Sequence, residues 1–141
     1  MPAMTSFCSV VDPSDCDFLG HMNVSRYFAA CSDGVFAIQS RMGLTANDMR
    51  DGRRLSFAVV NAQSDFHAEL LAGDAIKLET TVMGMGSKSM TFRHQLFRSD
   101  GEILAFETIF KCVLMCLATR RATDIPNEVR ETAEHWLEQQ T

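Results

Sequence analysis

Apolar residues recur at spacings of three and four through Tyr27, Cys31, Val35, Ile38 and Met42. That spacing predicts a helix over 24–42 with one buried stripe. At 1.5 Å per residue such a helix is about 28 Å long, enough to span a small domain. Gly43 follows the last apolar position and Leu44 follows the glycine, a pattern that predicts a left-handed stop with a hydrophobic contact after it. At the other end Asn23 is a good N-cap, although Arg26 stands where a capping box wants Glu. Ahead of the helix, "SFCSVV" reads as a short strand.

From about Arg54 to Cys116 the period changes to two. Ile76, Leu78, Thr80 and Val82 alternate with Lys77, Glu79 and Thr81, so that strand has one buried and one wetter face. "GMGSKS" breaks it. Met90, Phe92, His94 and Leu96 share a face of the next strand, "SDG" turns the chain, and "EILAFETIFKCVLMCL" is apolar enough to lie inside a sheet. Turns this short imply antiparallel neighbours, because a parallel pair needs a crossover of a dozen or more residues. In "IPNEVRETAEHWLEQQ" Pro126 is placed as a first helical residue, and Val129, Ala133, Trp136 and Leu137 form one stripe of a terminal helix. The expected order is strand, long helix, four more antiparallel strands and a short helix. This is an α+β domain whose five-stranded sheet must cover one long helix.

Composition narrows the class. At 141 residues and 46% hydrophobic, the chain suits one domain over 1–141 with a real core. A formal charge of -5 without any Lys/Arg run argues against nucleic acid. No apolar run approaches the roughly 20 residues that cross a bilayer, and the start lacks a basic region, so a cytoplasmic protein without membrane contact is expected. Five scattered cysteines read as reduced thiols. Cys112 and Cys116 share a strand face in an apolar run, and His67, His94 and His135 share no ligand spacing, so no metal site is expected.

"DCDFLGHMNVSRY", residues 15–27, resembles the D-x-D-x-x-G-H-x-N-x-x-x-Y signature of the 4-hydroxybenzoyl-CoA thioesterase-like family of acyl-CoA thioesterases. "FHAELLAGDAIKLETTV", "GMGSKSMTFRHQLF" and "SDGEILAFETIF" extend the resemblance over nearly the whole chain. Val24 stands where the family commonly has a second Asn, and Ser32 and Asp33 stand near its frequent helix Glu. The resemblance implies a hotdog fold and hydrolysis of an acyl- or aroyl-CoA to the free acid and CoA. It makes Asp17 the nucleophile or general base, since Asp17 matches the second Asp. No cofactor is implied beyond the CoA of the substrate, and acyl carrier protein is an alternative donor. The resemblance also places Gly86, Ser87 and Lys88 along the CoA channel, where a solvated hairpin turn is the other reading.

The residues support that chemistry by themselves. Thioester hydrolysis needs a group to activate water or attack the carbonyl, and a positive site for the oxyanion. Free N–H groups at a helix start, here near Met22 to Val24, offer the second. Asp17 lies just before them, and its plainer role is a loop carboxylate that caps. Asp15 fixes the loop by local hydrogen bonds. Gly20 permits either close approach of substrate or a turn with positive φ. His21 could orient Asp17 or polarise the substrate, and Asn23 is first a helix cap. Met22, Val24, Tyr27 and Phe66, with Phe28, are candidates for an acyl pocket, and each is equally a core residue. Some of Lys88, Arg93, Arg120 and Arg121 should meet the CoA phosphates. Two other functions fit the pattern, a hotdog hydratase using His21 with Asp33 and a non-catalytic acyl-CoA binder. A sheet edge left open by a single copy predicts a homodimer, or a tetramer built from dimers.

Overall fold

The computed structural model describes residues 3–138. The end of the expected terminal helix, from Gln139, lies outside them. Strand β1 (Met4–Val10) leads through a loop into helix α1 (Val24–Arg41). A short helix α2 (Ala46–Arg50) precedes strands β2 (Leu55–Phe66), β3 (Ala75–Met85), β4 (Ser89–Arg98) and β5 (Ile103–Cys116). A two-residue strand β6 (Arg121–Ala122), helix α3 (Asn127–Ala133) and a 3₁₀ turn (Glu134–Trp136) complete the described residues. The sheet runs β1-β3-β4-β5-β2, antiparallel throughout, with β6 added on β5. This is the hotdog arrangement, one sheet curled over one long helix.

Local chemistry fixes α1 at both ends. The Asn23 side-chain oxygen accepts the Ser25 N–H at 2.9 Å. At the stop, Leu44 N–H reaches the Gln39 carbonyl at 2.9 Å and Gly43 N–H reaches that of Ser40 at 3.1 Å, both bonds of a Schellman motif around a Gly43 with φ of 94°. Leu44 is fully buried after it. The whole predicted stripe, Tyr27 to Met42, is buried against the sheet. A Cβ on Gly34 would lie 2.6 Å from Leu78 Cδ2 and 3.0 Å from Ser6 Oγ, so glycine is what lets α1 approach β1 and β3 this closely.

The inner face of the sheet carries a row of polar side chains crossing all five long strands. Ser6 on β1 shares a hydrogen bond of 2.7 Å with Thr80 on β3, and Thr80 shares one of 2.9 Å with His94 on β4. His94 pairs in register with Thr108 on β5, which shares a 2.7 Å bond with Ser64 on β2. Thr80, His94 and Thr108 have no exposed surface. Burial among Phe92, Phe110 and these hydroxyls pushes the His94 pKa down to about 3, so the imidazole is neutral.

Several details differ from expectation. Helix α2 is too short for a periodic signal, and Thr45 caps it by accepting the Asp48 N–H. Strand β3 runs through Met85 by means of a bulge between Val82 and Gly84, so only 86–88 form the turn. Pro126 is the N-cap of α3, and Asn127 is its first helical residue. β6 adds a sixth, very short strand because Thr123 N–H returns to the Leu114 carbonyl. Strand β2 forms one sheet edge, with a bulge between Val59 and Asn61 and both Val59 and Val60 exposed.

Candidate active site

The loop 11–23 is built by carboxylates acting on nearby backbone. Asp12 caps a 3₁₀ turn at Pro13–Asp15, and Asp15 answers by accepting the Asp12 N–H at 3.0 Å. Asp15 also pairs with Arg26 at 3.4 Å, and its carbonyl accepts the Asn23 N–H at 2.8 Å. This is the fixing role expected of it. A second turn follows at Asp17–Gly20, closed by Gly20 N–H on the Asp17 carbonyl at 3.0 Å. Gly20 has φ of 84°, and nothing lies within 4 Å of the place a Cβ would take. Of its two readings, the structure supports the turn.

Asp17 is held from two sides. Oδ1 accepts the Leu19 N–H at 2.8 Å, and Oδ2 accepts the Asn23 side-chain amide at 2.7 Å. The Asn23 bond and then the Leu19 bond hold its pKa below the usual carboxylate range, with a small further lowering from His21. Asn23 therefore joins Asp17 to the first turn of α1, donating to the carboxylate while its oxygen caps the helix. His21 Nδ1 lies 3.1 Å from the Met22 carbonyl oxygen, which orients the ring.

Beside this loop is a cavity of about 430 Å³. The loop contributes His21 and Met22, α1 contributes Val24 and Tyr27, the end of β2 contributes Phe66, and the connection after it contributes His67, Ala68 and Glu69. The connection is anchored by nonlocal bonds. Ala105 O accepts from His67 N–H at 2.8 Å and from Ala68 N–H at 3.1 Å, and Leu70 O accepts from Met22 N–H at 2.7 Å. Tyr27 and Phe66 meet edge to face, centroids 5.2 Å apart and rings at 81°, and Phe106 backs both at 5.0 and 4.8 Å. Burial raises the Tyr27 phenol, and the neighbouring Glu69 charge adds to the rise.

The expected site residues do not all meet. His21, Met22, Val24, Tyr27 and Phe66 line the cavity, whereas Asp17, Gly20 and Asn23 build the loop next to it. Phe28 belongs to the core, packed on Phe106 and Phe110. The oxyanion expectation is narrowed, because the Met22 and Asn23 N–H groups are already given to the carbonyls of Leu70 and Asp15. Val24 N–H, the first of α1, has no acceptor among the described residues.

Gly86, Ser87 and Lys88 are not at this cavity. Phe106, behind the cavity, and Val113, which pairs with Ser89, are seven residues apart on β5, about 23 Å at 3.3 Å per residue. The carbonyls of the turn are bonded locally, to Arg130, Ile125 N–H and Leu114 N–H. Arg120 and Arg121 lie at that same far end, and Arg93 is paired with Glu107 and Glu138. Asp33 faces a different cleft, with Asp15 and Arg26, so the His21–Asp33 pairing of a hydratase is not formed. What the sequence reading missed is His67 and Glu69. The available signal was their position directly after Phe66. Among the described residues no group of three or more His, Cys, Asp or Glu side chains could hold a metal, and no helix is long and apolar enough to cross a membrane.

Comparison with known proteins agrees with this architecture. The sequence profile of the Thioesterase-like superfamily matches residues 11–133. An L-carnitine dehydrogenase/betainyl-CoA thioesterase of Agrobacterium fabrum is 30% identical over 89 residues, 63% of this chain and 18% of that protein. The chain spans less than two thirds of the length of the curated relatives it matches, 18% and 63%. A Staphylococcus aureus protein solved in complex with CoA superposes with a TM-score of 0.87 at 18% identity, covering 100% of this chain and 90% of that one. A 1,4-dihydroxy-2-naphthoyl-CoA thioesterase from Synechocystis superposes with a TM-score of 0.79 at 16% identity, covering 92% and 94%.

Proposed function

The chain belongs to the thioesterase-like superfamily, and from that premise we propose that it hydrolyses acyl-CoA thioesters at the cavity beside the N-terminus of α1. The observation that carries this reading is the meeting, at one cavity, of an unused Val24 N–H, the loop that holds an ionised Asp17, and an apolar wall.

In this reading the thioester carbonyl oxygen sits at Val24 N–H, where the positive end of α1 favours the charge that develops on it. Asp17 is the general base or the nucleophile. As base it takes a proton from water, the hydroxide adds to the carbonyl carbon, and the tetrahedral intermediate collapses to the acid and CoA thiolate, which takes up the proton. As nucleophile it forms a mixed anhydride and releases CoA, and water then cleaves the anhydride. Each Asp17 oxygen accepts one hydrogen bond and keeps a lone pair for either task. His21 orients the water or the ester, and Met22, Val24, Tyr27 and Phe66 hold the acyl group. CoA is part of the substrate, and acyl carrier protein is the alternative donor.

We place the working unit in a homodimer joined through β2. Val59 and Val60 expose apolar surface on this long open edge. Two β2 edges related by a two-fold axis run antiparallel, so the Leu55 end of one copy lies beside the Phe66 end of the other. That pairing brings the sheet end carrying Gly86, Ser87 and Lys88 toward the other copy's cavity, where a CoA phosphate could use it.

The experiment is release of free thiol from a panel of acyl-CoAs that includes small, cationic and aromatic acyl groups, with enoyl-CoA hydration and acyl carrier protein esters alongside. Thiol release from at least one ester supports the reading. Tight ester binding without thiol release would make the protein an acyl-CoA binder instead, and enoyl hydration alone would restore the hydratase.

A further inference from the structure

We propose that the acyl group this cavity takes carries a fixed positive charge of the quaternary ammonium kind, held between the Glu69 carboxylate and the Phe66–Tyr27 corner. The inference rests on the thioesterase reading and deepens it by naming the substrate class.

The cavity wall holds one charged side chain, Glu69, and neither Lys nor Arg. Among the described residues Glu69 makes no hydrogen bond or ion pair with a cation, so its charge is available to a ligand. Glu69 and the two rings, Tyr27 and Phe66, line the same cavity. An acyl group ending in a carboxylate would meet like charge there with no Lys or Arg to neutralise it. A plain alkyl group would leave the acid unused.

The rest of the wall selects among cations. Phe66 lines the cavity and is 53% exposed, and Tyr27, also in the wall, stands at 81° to it as the second side of a corner. Cations within about 6 Å of such rings are attracted to their faces. A primary ammonium carries N–H groups that the apolar and aromatic part of the wall cannot satisfy. A trimethylammonium has no N–H to satisfy, spreads its charge over methyl groups, and fits an aromatic corner with one acid behind it.

The test uses two esters of one shape. Trimethylammonioacetyl-CoA and 3,3-dimethylbutanoyl-CoA match in shape, and because the ammonium also activates the carbonyl inductively, each kcat/KM is divided by that ester's own rate of hydrolysis in hydroxide, so that every ratio below is one of corrected values. The expected kcat/KM is at least about tenfold higher for the cationic ester. Glu69→Gln should bring the ratio of the two to within about threefold, and because the ratio is taken within one variant, any folding defect cancels. A neutral ester used as well as or better than the cationic one overturns the proposal, as does a ratio that survives Glu69→Gln. If no ester of the wider panel releases thiol, the thioesterase reading itself fails. Calorimetric binding of the same two esters then decides the charge preference, and equal affinities overturn it.

Discussion

Asp17→Asn keeps the outline of the side chain and removes its charge, which makes it the sharpest probe of the loop. An amide at this position presents one acceptor and one donor to two donors, the Leu19 N–H and the Asn23 amide, so one of the bonds at 2.8 and 2.7 Å must be lost. On a solvent-facing loop that loss should lower Tm by only a few degrees. If Asp17 is the base or nucleophile, turnover falls by about a hundredfold to ten-thousandfold, about 3–5 kcal/mol of barrier. The chemical loss exceeds the structural one, so turnover measured well below Tm separates them. Asp15→Asn is the control, since it keeps an acceptor for the Asp12 N–H, removes the Arg26 ion pair and should lose less turnover. Because hydrogen bonds from Asn23 and Leu19 depress the Asp17 pKa, its ionised form persists below the ordinary carboxylate range. Turnover should therefore hold as pH falls and drop only through that depressed value. His21→Ala should fall between the two aspartate variants if the imidazole orients the chemistry. Should Asp17→Asn hydrolyse the best ester within about threefold of the parent, about 0.65 kcal/mol, Asp17 is a structural turn residue and the mechanism is wrong.

Acid should destabilise the fold through His94, whose pKa drops from 6.5 unfolded to about 3 folded, so the unfolded state binds the extra proton and stability falls as pH drops between those values. The loss by pH 4.5 is about 2–3 kcal/mol in urea titrations, and an equally steep decline in His94→Gln would refute it. Gly34→Ala sets a helix-propensity gain of about 1 kcal/mol against overpacking of about 1–3 kcal/mol at Leu78 and Ser6, so Tm should fall, and a rise would refute the close approach. Light-scattering chromatography should return at least twice 15.7 kDa, and Val60→Lys on the β2 edge should shift it toward monomer. A parent that stays monomeric at micromolar concentration would sink the edge-paired dimer.

The elements were legible because their causes are local. The α1 stripe, its Asn23 cap and its Gly43–Leu44 stop are set by residues within a turn of one another, and all three stand in the structure as read. The alternation of β3 and β4 is equally local and gave the buried faces correctly. His94 and Thr80 could be placed on those faces from sequence, whereas the row they complete with Ser6, Thr108 and Ser64 depends on register between strands far apart in the chain.

The site was only half legible for the same reason. By itself the sequence determined the loop from Asp15 to Asn23, since short-range carboxylate and amide bonds and one positive-φ glycine build it. Tertiary structure alone decided what faces that loop. Leu70 and Ala105 carbonyls dock the segment carrying His67 and Glu69, and the same backbone bonding occupies the Met22 N–H that a linear reading left free. The sheet also separates Gly86, Ser87 and Lys88 from the cavity by most of the length of β5, a distance no motif records. Local propensities specify elements and caps, but the partner of each backbone donor and the contents of a cavity wall depend on strand order and register, which only the assembled sheet fixes.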